Sequence, residues 1–416
     1  MQVHHIEGHL LQVLPSVIRE SDGELEIESD CCESLRLYLD NFDTVTIACP
    51  VTKEIEDSGL RRCQRVKDLP WRNRIRLLPL PNAYRLDQFV RHYFAVKRSL
   101  RAEIEHADYL VFSPHTLLGD WPTVAVREAI KLQRPYAIEA DVVYEKVAQV
   151  DWVHDAAWKR IIKEAVMLPL FQHSHRYCLA QTRLALLQGQ DVYDAYSSFC
   201  GNAHKVYHMP ISKEDYITEV QLHNKLNAVT DNRPLRLCYV GRCIDMKGPM
   251  DWLKTLHELI KGDVDICATW LGGGSLLPSM QVMAENLGIA DHVSFPGYVS
   301  DRKEVLRTLR DSDLFLFCHK TPESPRCLVE ALASGCPLIG YSSGYPKDLV
   351  AQYGGGRFAT VGDWQALVEI VRQLTKDRVA VRELIRSASA SGRLYERDAT
   401  MQRRIDLIKK FLRPKI

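Results

Sequence analysis

The stretch "CHKTPESPRCLVEALASGCPLIGY" (residues 318–341) links two apolar segments through a loop and a short helix. The apolar run "LFLFC" (314–318) predicts a buried strand, and the helix that follows ends at Gly335, a residue that favours a helix C-cap. Glu323 lies in the predicted loop, and Glu330 lies on the helix away from its apolar side. Both carboxylates are therefore expected near the carboxyl end of a strand, where open α/β sheets bind their ligands.

The same alternation of short apolar runs and longer amphipathic segments extends through the chain, and it is typical of parallel sheets with crossover helices. In the first half the predicted strands are 44–49, 109–113 and 135–140, and the predicted helices are 85–107 and 121–132. In the second half the strands are 235–241, 265–272, 292–297, 314–318 and 336–341, and the helices are 249–261, 278–288, 301–312 and 326–334. The pattern predicts an α/β protein with two Rossmann-like domains.

The domain boundaries follow from polarity and periodicity. The segment 213–232 is polar and aperiodic, and we expect it to be a linker between an N-terminal domain (1–212) and a C-terminal domain (233–395). Residues 396–416 predict a helix with one apolar stripe. Near the N-terminus, "HLLQVLPSVIRESDGELEIES" (9–29) predicts a hairpin that turns at Ser21, Asp22 and Gly23.

Composition narrows the class of protein. A chain of 416 residues is long enough for two or three domains of about 150 residues each. A formal net charge of +1 gives no support to nucleic-acid binding. The twelve scattered cysteines show no zinc-finger spacing, and neither a signal peptide nor an apolar run of about 18 residues is found. We therefore expect a cytoplasmic protein.

Two basic residues follow the first strand of the second half. The loop "YVGRCIDMKGP" (239–249) starts where that strand ends at Gly241, and it carries Arg242 and Lys247. Two cations at the carboxyl end of a strand can bind a diphosphate, and arginine can bind its oxygens bidentately. The alternative interpretation is a solvated loop without a ligand.

Three glycines follow the next strand, in "WLGGGSL" (270–276). Gly272 and Gly273 would let the backbone approach a ligand, and amides at the start of a helix favour anions. A tight strand-to-helix turn explains the same residues equally well. For Glu330 the alternative to ligand binding is an ion pair with Arg326, one helical turn earlier.

Taken together, these motifs resemble the retaining GT-B glycosyltransferases of glycosyltransferase family 4. The matching segments are "VGRCIDMKG", "WLGGGSL", "HVSFPGYVS", "DSDLFLFC" and "TPESPRCLVEALASGCPLIGY", which occur in this order between residues 235 and 355. The resemblance implies two facing Rossmann-like domains with a cleft between them, and a C-terminal helix that crosses back to the N-terminal domain.

The resemblance also implies roles for individual residues. Arg242 and Lys247 would hold the donor diphosphate, Glu330 would bind the ribose, and Glu323 would lie near the donor sugar. Tyr298 and Val299 would lie near the nucleobase. Further phosphate contacts would come from the backbone amides around Arg326, Cys327 and Leu328. Gly241, Gly272 and Gly273 are the remaining candidates for donor binding.

The chain departs from the family pattern in two places. Six residues separate Glu323 from Glu330, one fewer than is usual in the family, so the loop that carries Glu323 is one residue shorter. The usual glycine-rich loop after the first strand is not visible. In the N-terminal domain, His115 in "FSPHTLLGDW" and Asp141 in "EADVVYEK" are candidates for substrate contact, although a single His is more often structural.

No metal or other cofactor is predicted. "HSH" (173–175) does not place two histidines on one helical face, and "DSD" (311–313) precedes a strand, so it is interpreted as a helix-to-strand turn. The stretch "LRRCQRVKDLPWRNRIR" (60–76) holds seven basic residues and Trp71. It predicts either peripheral contact with an anionic membrane or a solvated basic surface.

The predicted function is transfer of a hexose from a nucleoside diphosphate sugar to a glycan or a lipid-linked acceptor with retention of configuration. A UDP-sugar is favoured and a GDP-sugar comes next, in polysaccharide biosynthesis. The alternatives are a nucleotide-sugar epimerase on the same fold and a catalytically degenerate protein that only binds sugar nucleotides. A nicotinamide dehydrogenase is disfavoured, because no GxGxxG motif opens a βαβ unit.

Overall fold

The computed structural model describes residues 8–16, 18–21, 23–52, 63–82, 85–115, 119–209, 211–230 and 233–413. These residues form two compact units, each described separately below. The N-terminal unit runs to His208 and includes the C-terminal residues from Asp398 onward, whereas the C-terminal unit comprises Met209–Arg397.

The N-terminal unit is built on a parallel sheet with the strand order β10-β9-β8-β7-β1-β4, in which β6 pairs with β4 on the side opposite β1. The strands of this sheet are β1 (His9–Val13), β4 (Thr44–Thr52), β6 (Ile75–Leu80), β7 (Tyr109–Phe112), β8 (Ala137–Ala140), β9 (Leu184–Gln188) and β10 (Ala203–Val206). Strands β7 and β9 are fully buried because helices cover both faces of the sheet.

The predicted N-terminal hairpin is present, but its first arm differs from the expectation. Strands β2 (Ile18–Ser21) and β3 (Glu24–Glu28) pair antiparallel, and β3 pairs with β5 (Cys63–Arg65). The preceding segment, β1, instead joins the central sheet in parallel between β4 and β7. Four of its five residues, Leu10–Val13, are buried, which suits a strand that is covered on both faces.

Helices surround this sheet and provide its two cores. They are α1 (Ser29–Leu39), α2 (Leu86–His106), α3 (Trp121–Lys131), α4 (Tyr144–Asp151), α5 (Ala157–Ile162), α6 (Leu168–Ala180) and α7 (Gly189–Tyr196). A π-helical turn, Lys163–Met167, joins α5 to α6. One core packs α2, α3 and α6 on one face of the sheet, and the other packs α1 on the opposite face.

The C-terminal unit contains a six-stranded parallel sheet with the order β13-β12-β11-β14-β15-β16. Its strands are β11 (Leu235–Val240), β12 (Ile266–Leu271), β13 (Val293–Gly297), β14 (Leu314–Phe317), β15 (Leu338–Tyr341) and β16 (Gly356–Ala359). Its helices are α8 (Glu219–Ala228), α9 (Pro249–Lys261), α10 (Leu277–Asn286), α11 (Arg302–Asp311), α12 (Arg326–Ala333), α13 (Gly344–Leu349), α14 (Trp364–Lys376) and α15 (Arg378–Gly392).

The segment predicted to be an aperiodic linker, 213–232, is corrected by the structure. It contains α8, whose first turn is closed by a capping box between Thr218 and Gln221. The buried Lys225 on this helix donates hydrogen bonds to the carbonyl oxygens of Leu309 and Ser334 at 3.2 and 3.3 Å. Tertiary contacts of this kind hold a helix whose own apolar periodicity is weak.

The predicted return of the C-terminal helix to the N-terminal domain is confirmed. Helix α16 (Arg397–Leu412) buries its apolar stripe in the core of the N-terminal unit, through Met401, Ile405, Ile408 and Leu412. The buried Arg404 donates a hydrogen bond of 2.5 Å to Glu139 at the end of β8. Glu139 therefore has a structural partner in the helix.

All twelve cysteines are free thiols. The Sγ atoms of Cys238 and Cys336 lie 4.0 Å apart, about twice the length of a disulfide bond.

Candidate active site

The loops that follow β11, β12 and β13 are tied together by backbone hydrogen bonds. The amide of Gly241 donates to Leu271, and the amide of Gly272 donates to Gly297, both at 2.9 Å. A side chain at Gly272 would collide with the carbonyl group of Gly241, so the two loops can approach this closely only with glycine there. This contact brings the predicted donor-binding glycines to one place at the carboxyl edge of the sheet.

Arg242 and Lys247 occupy different environments in the loop after β11. Arg242 is exposed, whereas Lys247 is 8% exposed. The Nζ atom of Lys247 lies 2.5 Å from a carboxylate oxygen of Glu323, in the loop after β14. Gly248, in the left-handed conformation with φ of 66°, packs directly on Cys318 and so holds the Lys247 loop against the end of β14.

The ion pair between Lys247 and Glu323 joins two residues predicted from separate motifs. Their side chains are 10% and 12% exposed, so water screens their attraction only weakly. Each side chain retains some access to solvent, and a diphosphate entering here would meet a cation that Glu323 already orients. The shortened spacing between the two glutamates therefore leaves Glu323 at the site, in contact with Lys247.

Glu330 accepts a hydrogen bond of 2.9 Å from Arg302, the first residue of α11. The other terminal nitrogen of Arg302 donates to Asp215 at 3.0 Å. Although burial opposes charge on the guanidinium, Glu330 and Asp215 raise the pKa of Arg302. Burial likewise opposes charge on Asp215, but its hydrogen bonds, chiefly from Arg302, lower its pKa. The alternative partner, Arg326, does not bind Glu330 in the described structure.

Arg302 was not found from the sequence because 28 residues separate it from Glu330, and no short-range spacing joins them. Arg302 binds one carboxylate oxygen of Glu330, so the other oxygen can still accept a hydrogen bond. The Glu330 side chain is 14% exposed. The three charged groups form a chain, Asp215–Arg302–Glu330, that fixes the orientation of the predicted ribose-binding carboxylate.

The remaining predicted donor contacts lie at the same edge. Tyr298 is 45% exposed just after β13, and Val299 beside it is half-buried. Helix α12 begins at Arg326, which is exposed, and no described side chain caps it. Cys327 is half-buried. The side chain of Leu328 is fully buried, so Leu328 could contact a donor only through its backbone.

His319 is a residue that sequence reasoning missed, although it follows β14 directly at the carboxyl edge. It is 7% exposed, and its Nε2 atom lies 2.8 Å from the hydroxyl oxygen of Tyr239. Burial, with a smaller effect from the Lys247 cation, holds the pKa of His319 well below its usual value. This histidine is therefore neutral at pH 7 and adds no charge beside Lys247.

In the N-terminal unit, the structure brings His115 and Asp141 together through Tyr144. The rings of His115 and Tyr144 lie 4.4 Å apart, and the Tyr144 hydroxyl donates to Asp141 at 3.3 Å. Burial lowers the pKa of His115, although the Asp141 carboxylate opposes this effect. Asp120, the N-cap of α3, accepts a hydrogen bond from the amide of His115 at 3.2 Å and holds the chain there.

Behind Tyr144 lies His175, for which the sequence suggested no ligand. It is 4% exposed, and neither ring nitrogen has a hydrogen-bond partner among the described residues. Its ring stacks on Phe171 and meets the edges of Tyr144 and Tyr196. Burial, and to a lesser degree the nearby His115, lowers the pKa of His175 to about 4.

No group of three or more His, Cys, Asp or Glu side chains that could hold a metal ion occurs among the described residues. The "DSD" segment forms the predicted helix-to-strand turn, since α11 ends at Asp311 and β14 begins at Leu314. Asp313 in this turn is buried and binds the guanidinium of Arg233 with two hydrogen bonds of 2.6 and 2.7 Å.

Much of the basic stretch 60–76 is engaged inside the N-terminal unit. Residues 60–62 lie outside the described structure. Arg74 donates to backbone carbonyl oxygens of Leu39 and Phe42, and Lys67 pairs with Glu24 at 2.8 Å. Some of the positive charges that led to the predicted membrane contact therefore already have partners within the protein. Across the described ranges, no helix is both long and apolar enough to span a bilayer.

Comparison with known proteins agrees with this arrangement. Residues 223–391 match the family described as glycosyl transferases group 1. Protein CapJ of Staphylococcus aureus is 21% identical over 61% of this chain, and the match spans 59% of CapJ. The amylovoran biosynthesis glycosyltransferase AmsK of Erwinia amylovora is 27% identical over 38% of this chain and 40% of its own length.

Among solved structures, HepE of Anabaena in complex with UDP superposes with a TM-score of 0.66 at 14% identity, covering 96% of this chain and 99% of HepE. At this identity the likeness concerns the fold. The chain thus has the GT-B fold, and its residues 223–391 match the family described as glycosyl transferases group 1.

Proposed function

We propose that this protein is a retaining hexosyltransferase that uses a nucleoside diphosphate sugar, with a UDP-sugar favoured and a GDP-sugar next. The observation that carries the proposal is the convergence of two ion pairs at one sheet edge. In the first pair, a carboxylate oxygen of Glu323 lies 2.5 Å from Lys247 Nζ. In the second, a carboxylate oxygen of Glu330 lies 2.9 Å from a guanidinium nitrogen of Arg302. The first suits a diphosphate and a sugar, and the second suits a ribose.

The acceptor is proposed to be a glycan or a lipid-linked molecule, in polysaccharide biosynthesis at the cytoplasmic side of a membrane. The printed function of AmsK, amylovoran biosynthesis, supports a polysaccharide product, and the UDP bound to HepE supports a uridine donor.

In the proposed reaction, the bond between the anomeric carbon and the diphosphate breaks while the acceptor hydroxyl oxygen bonds to the same face of that carbon. The hydroxyl proton passes to the departing phosphate oxygen. Lys247, and Arg242 from the rim of the site, stabilise the negative charge that develops on the phosphate. A well-placed donor of this kind lowers the barrier by about 3–4 kcal/mol. Glu323 holds Lys247 in position and faces the sugar.

Release of UDP or GDP from a panel of nucleotide sugars, measured with crude glycan and lipid-linked acceptors, tests this proposal. We expect turnover that needs an acceptor, is insensitive to chelator, and falls roughly 10²–10³-fold in Lys247→Ala. Lys254→Ala, on the same helix–loop region but 46% exposed, is the matched control. Interconversion of the donor sugar without an acceptor would identify an epimerase instead. Tight binding without any turnover would identify a degenerate binding protein.

A further inference from the structure

An exposed apolar helix projects from the N-terminal unit. No residue from Ala157 to Leu170 is buried, although this segment is a continuous run of α5, the π-helical turn and the start of α6. Six of its large apolar side chains are exposed, from 37% at Met167 to 62% at Trp158, and Leu168 is half-buried. Isolated exposed apolar residues are normal, but an uninterrupted group of this size marks an interaction surface.

The spacing of these residues makes the helix amphipathic. Trp158, Ile161, Ile162, Val166 and Leu170 recur every three or four positions and so share one side. The other side carries Lys159, Arg160 and Lys163 with one acidic residue of the segment, Glu164. Lys163 also pairs with Asp155, just before the segment, at 2.7 Å.

A second exposed stripe lies on α2 of the same unit. Leu86, Val90 and Phe94 are four residues apart and are 54%, 65% and 76% exposed. The buried residues of α2 begin only at Val96. The side of the first half that carries this stripe is therefore left exposed to solvent. Arg91 and Arg98 flank the stripe.

Both stripes lie toward the carboxyl edge of the parallel sheet. Helix α2 follows β6 and therefore starts at that edge, and α6 leads into β9 and therefore ends at the opposite edge. The segment Ala157–Leu170 consequently lies on the side where His115 and Asp141 follow β7 and β8. We name the eight residues Leu86, Val90, Phe94, Trp158, Ile161, Ile162, Val166 and Leu170 the apolar edge.

We propose that the apolar edge docks the protein on a bilayer that carries anionic headgroups. Aliphatic side chains and a tryptophan on one side of a helix, with lysine and arginine on the other, suit insertion into the boundary between headgroups and acyl chains. The flanking cations meet the negative surface potential of such a membrane. A second copy of this chain would instead bring the same cations together, so charge complementarity favours lipid.

Co-sedimentation of the full-length protein with vesicles tests the proposal, using phosphatidylcholine alone and phosphatidylcholine mixed with phosphatidylglycerol. We expect binding to the anionic vesicles, and at least a tenfold loss of it in the double variant Trp158→Ser/Ile162→Ser. The matched control is Val379→Ser, which removes an apolar side chain of 62% exposure from α15 and should bind as the wild type does. The variant Lys159→Glu/Arg160→Glu should lose the preference for anionic vesicles.

None of the variants changes a buried residue, so their unfolding temperatures and UDP affinities should equal those of the wild type. A wild-type protein that leaves anionic vesicles unbound would overturn the proposal, as would a Trp158→Ser/Ile162→Ser variant that binds them normally. Sedimentation velocity without vesicles provides a separate check. A dimer that dissociates in that double variant would identify the apolar edge as a self-association surface and would also overturn the proposal.

Discussion

At the scale of single residues, the candidate site depends on partners that are distant in sequence. Glu330 was predicted from its place on a short helix, yet its orientation is set by Arg302 on another helix and, through it, by Asp215. The residue types and their position at strand ends could be predicted from the motifs. The pairings could not, because they arise only when separate loops meet at the sheet edge.

Arg302→Ala is expected to weaken UDP binding about tenfold, because Glu330 would lose the bond that orients it and a tenfold change corresponds to about 1.4 kcal/mol. The turnover number at saturating donor should change much less, since Arg302 acts on binding through Glu330. Calorimetric titration and steady-state kinetics measure the two effects. Arg307→Ala on the same helix, where the arginine is 70% exposed, is the control and should bind UDP normally. An equal loss in turnover number and affinity would contradict this positioning role.

His175 predicts a loss of stability in mild acid. The unfolded chain takes up a proton near pH 6.5, whereas the folded protein does so only at a pKa of about 4, so the unfolded state binds more protons between these values. Stability is therefore lost as the pH falls through this window. Between pH 7.5 and 5 the loss from this residue should be about 2 kcal/mol.

Urea unfolding at the two pH values, for the wild type and His175→Phe, measures this loss. Phenylalanine keeps the stacked ring without a titratable group, so the variant should lose about 2 kcal/mol less than the wild type on acidification. His173→Phe changes an exposed histidine two residues away and should behave as the wild type. An unchanged pH dependence in His175→Phe would show that another group controls acid stability.

At the scale of helices and strands, long periodic elements could be predicted well and short ones less well. Helix α2 was expected at 85–107 and forms over Leu86–His106. Strand β6 was missed because its residues overlap the basic stretch and only partly follow an apolar pattern. Helix α8 was missed although "TEVQ" (218–221) carries a capping box, because its polar composition concealed the start signal.

The ion pair between Arg404 on α16 and Glu139 is expected to contribute strongly to the stability of the N-terminal unit. Arg404→Met would leave the Glu139 carboxylate, whose side chain is 15% exposed, without its partner and should lower the free energy of unfolding of the N-terminal unit by about 3 kcal/mol. Thermal and denaturant unfolding measure this change. Arg403→Met, at the adjacent exposed position, is the control and should stay within about 0.5 kcal/mol of the wild type. A similar stability for both variants would mean that the pair does not hold the helix.

At the scale of the whole molecule, the sequence predicted two α/β domains because each half carries its own set of buried strands. The structure adds that the chain returns to the N-terminal unit from Asp398 onward. The order of strands within each sheet could not be predicted from periodicity. Periodicity identifies each strand or helix, but it does not show which strands pair. The resemblance covered the second half, where the motifs lie at strand ends, and was weak in the first half.

The central claim is that the carboxyl edge of the C-terminal sheet binds a nucleoside diphosphate through Glu330 and Lys247. Calorimetric titration of the full-length protein with UDP, GDP and ADP, with and without chelator, tests it most directly. We predict selective binding of UDP that chelator does not change, and at least a tenfold loss of affinity in Glu330→Gln. The control Glu304→Gln, at a carboxylate of 50% exposure, should bind as the wild type does. Failure to bind any of the three nucleotides, or equal binding by Glu330→Gln and the wild type, would contradict the account.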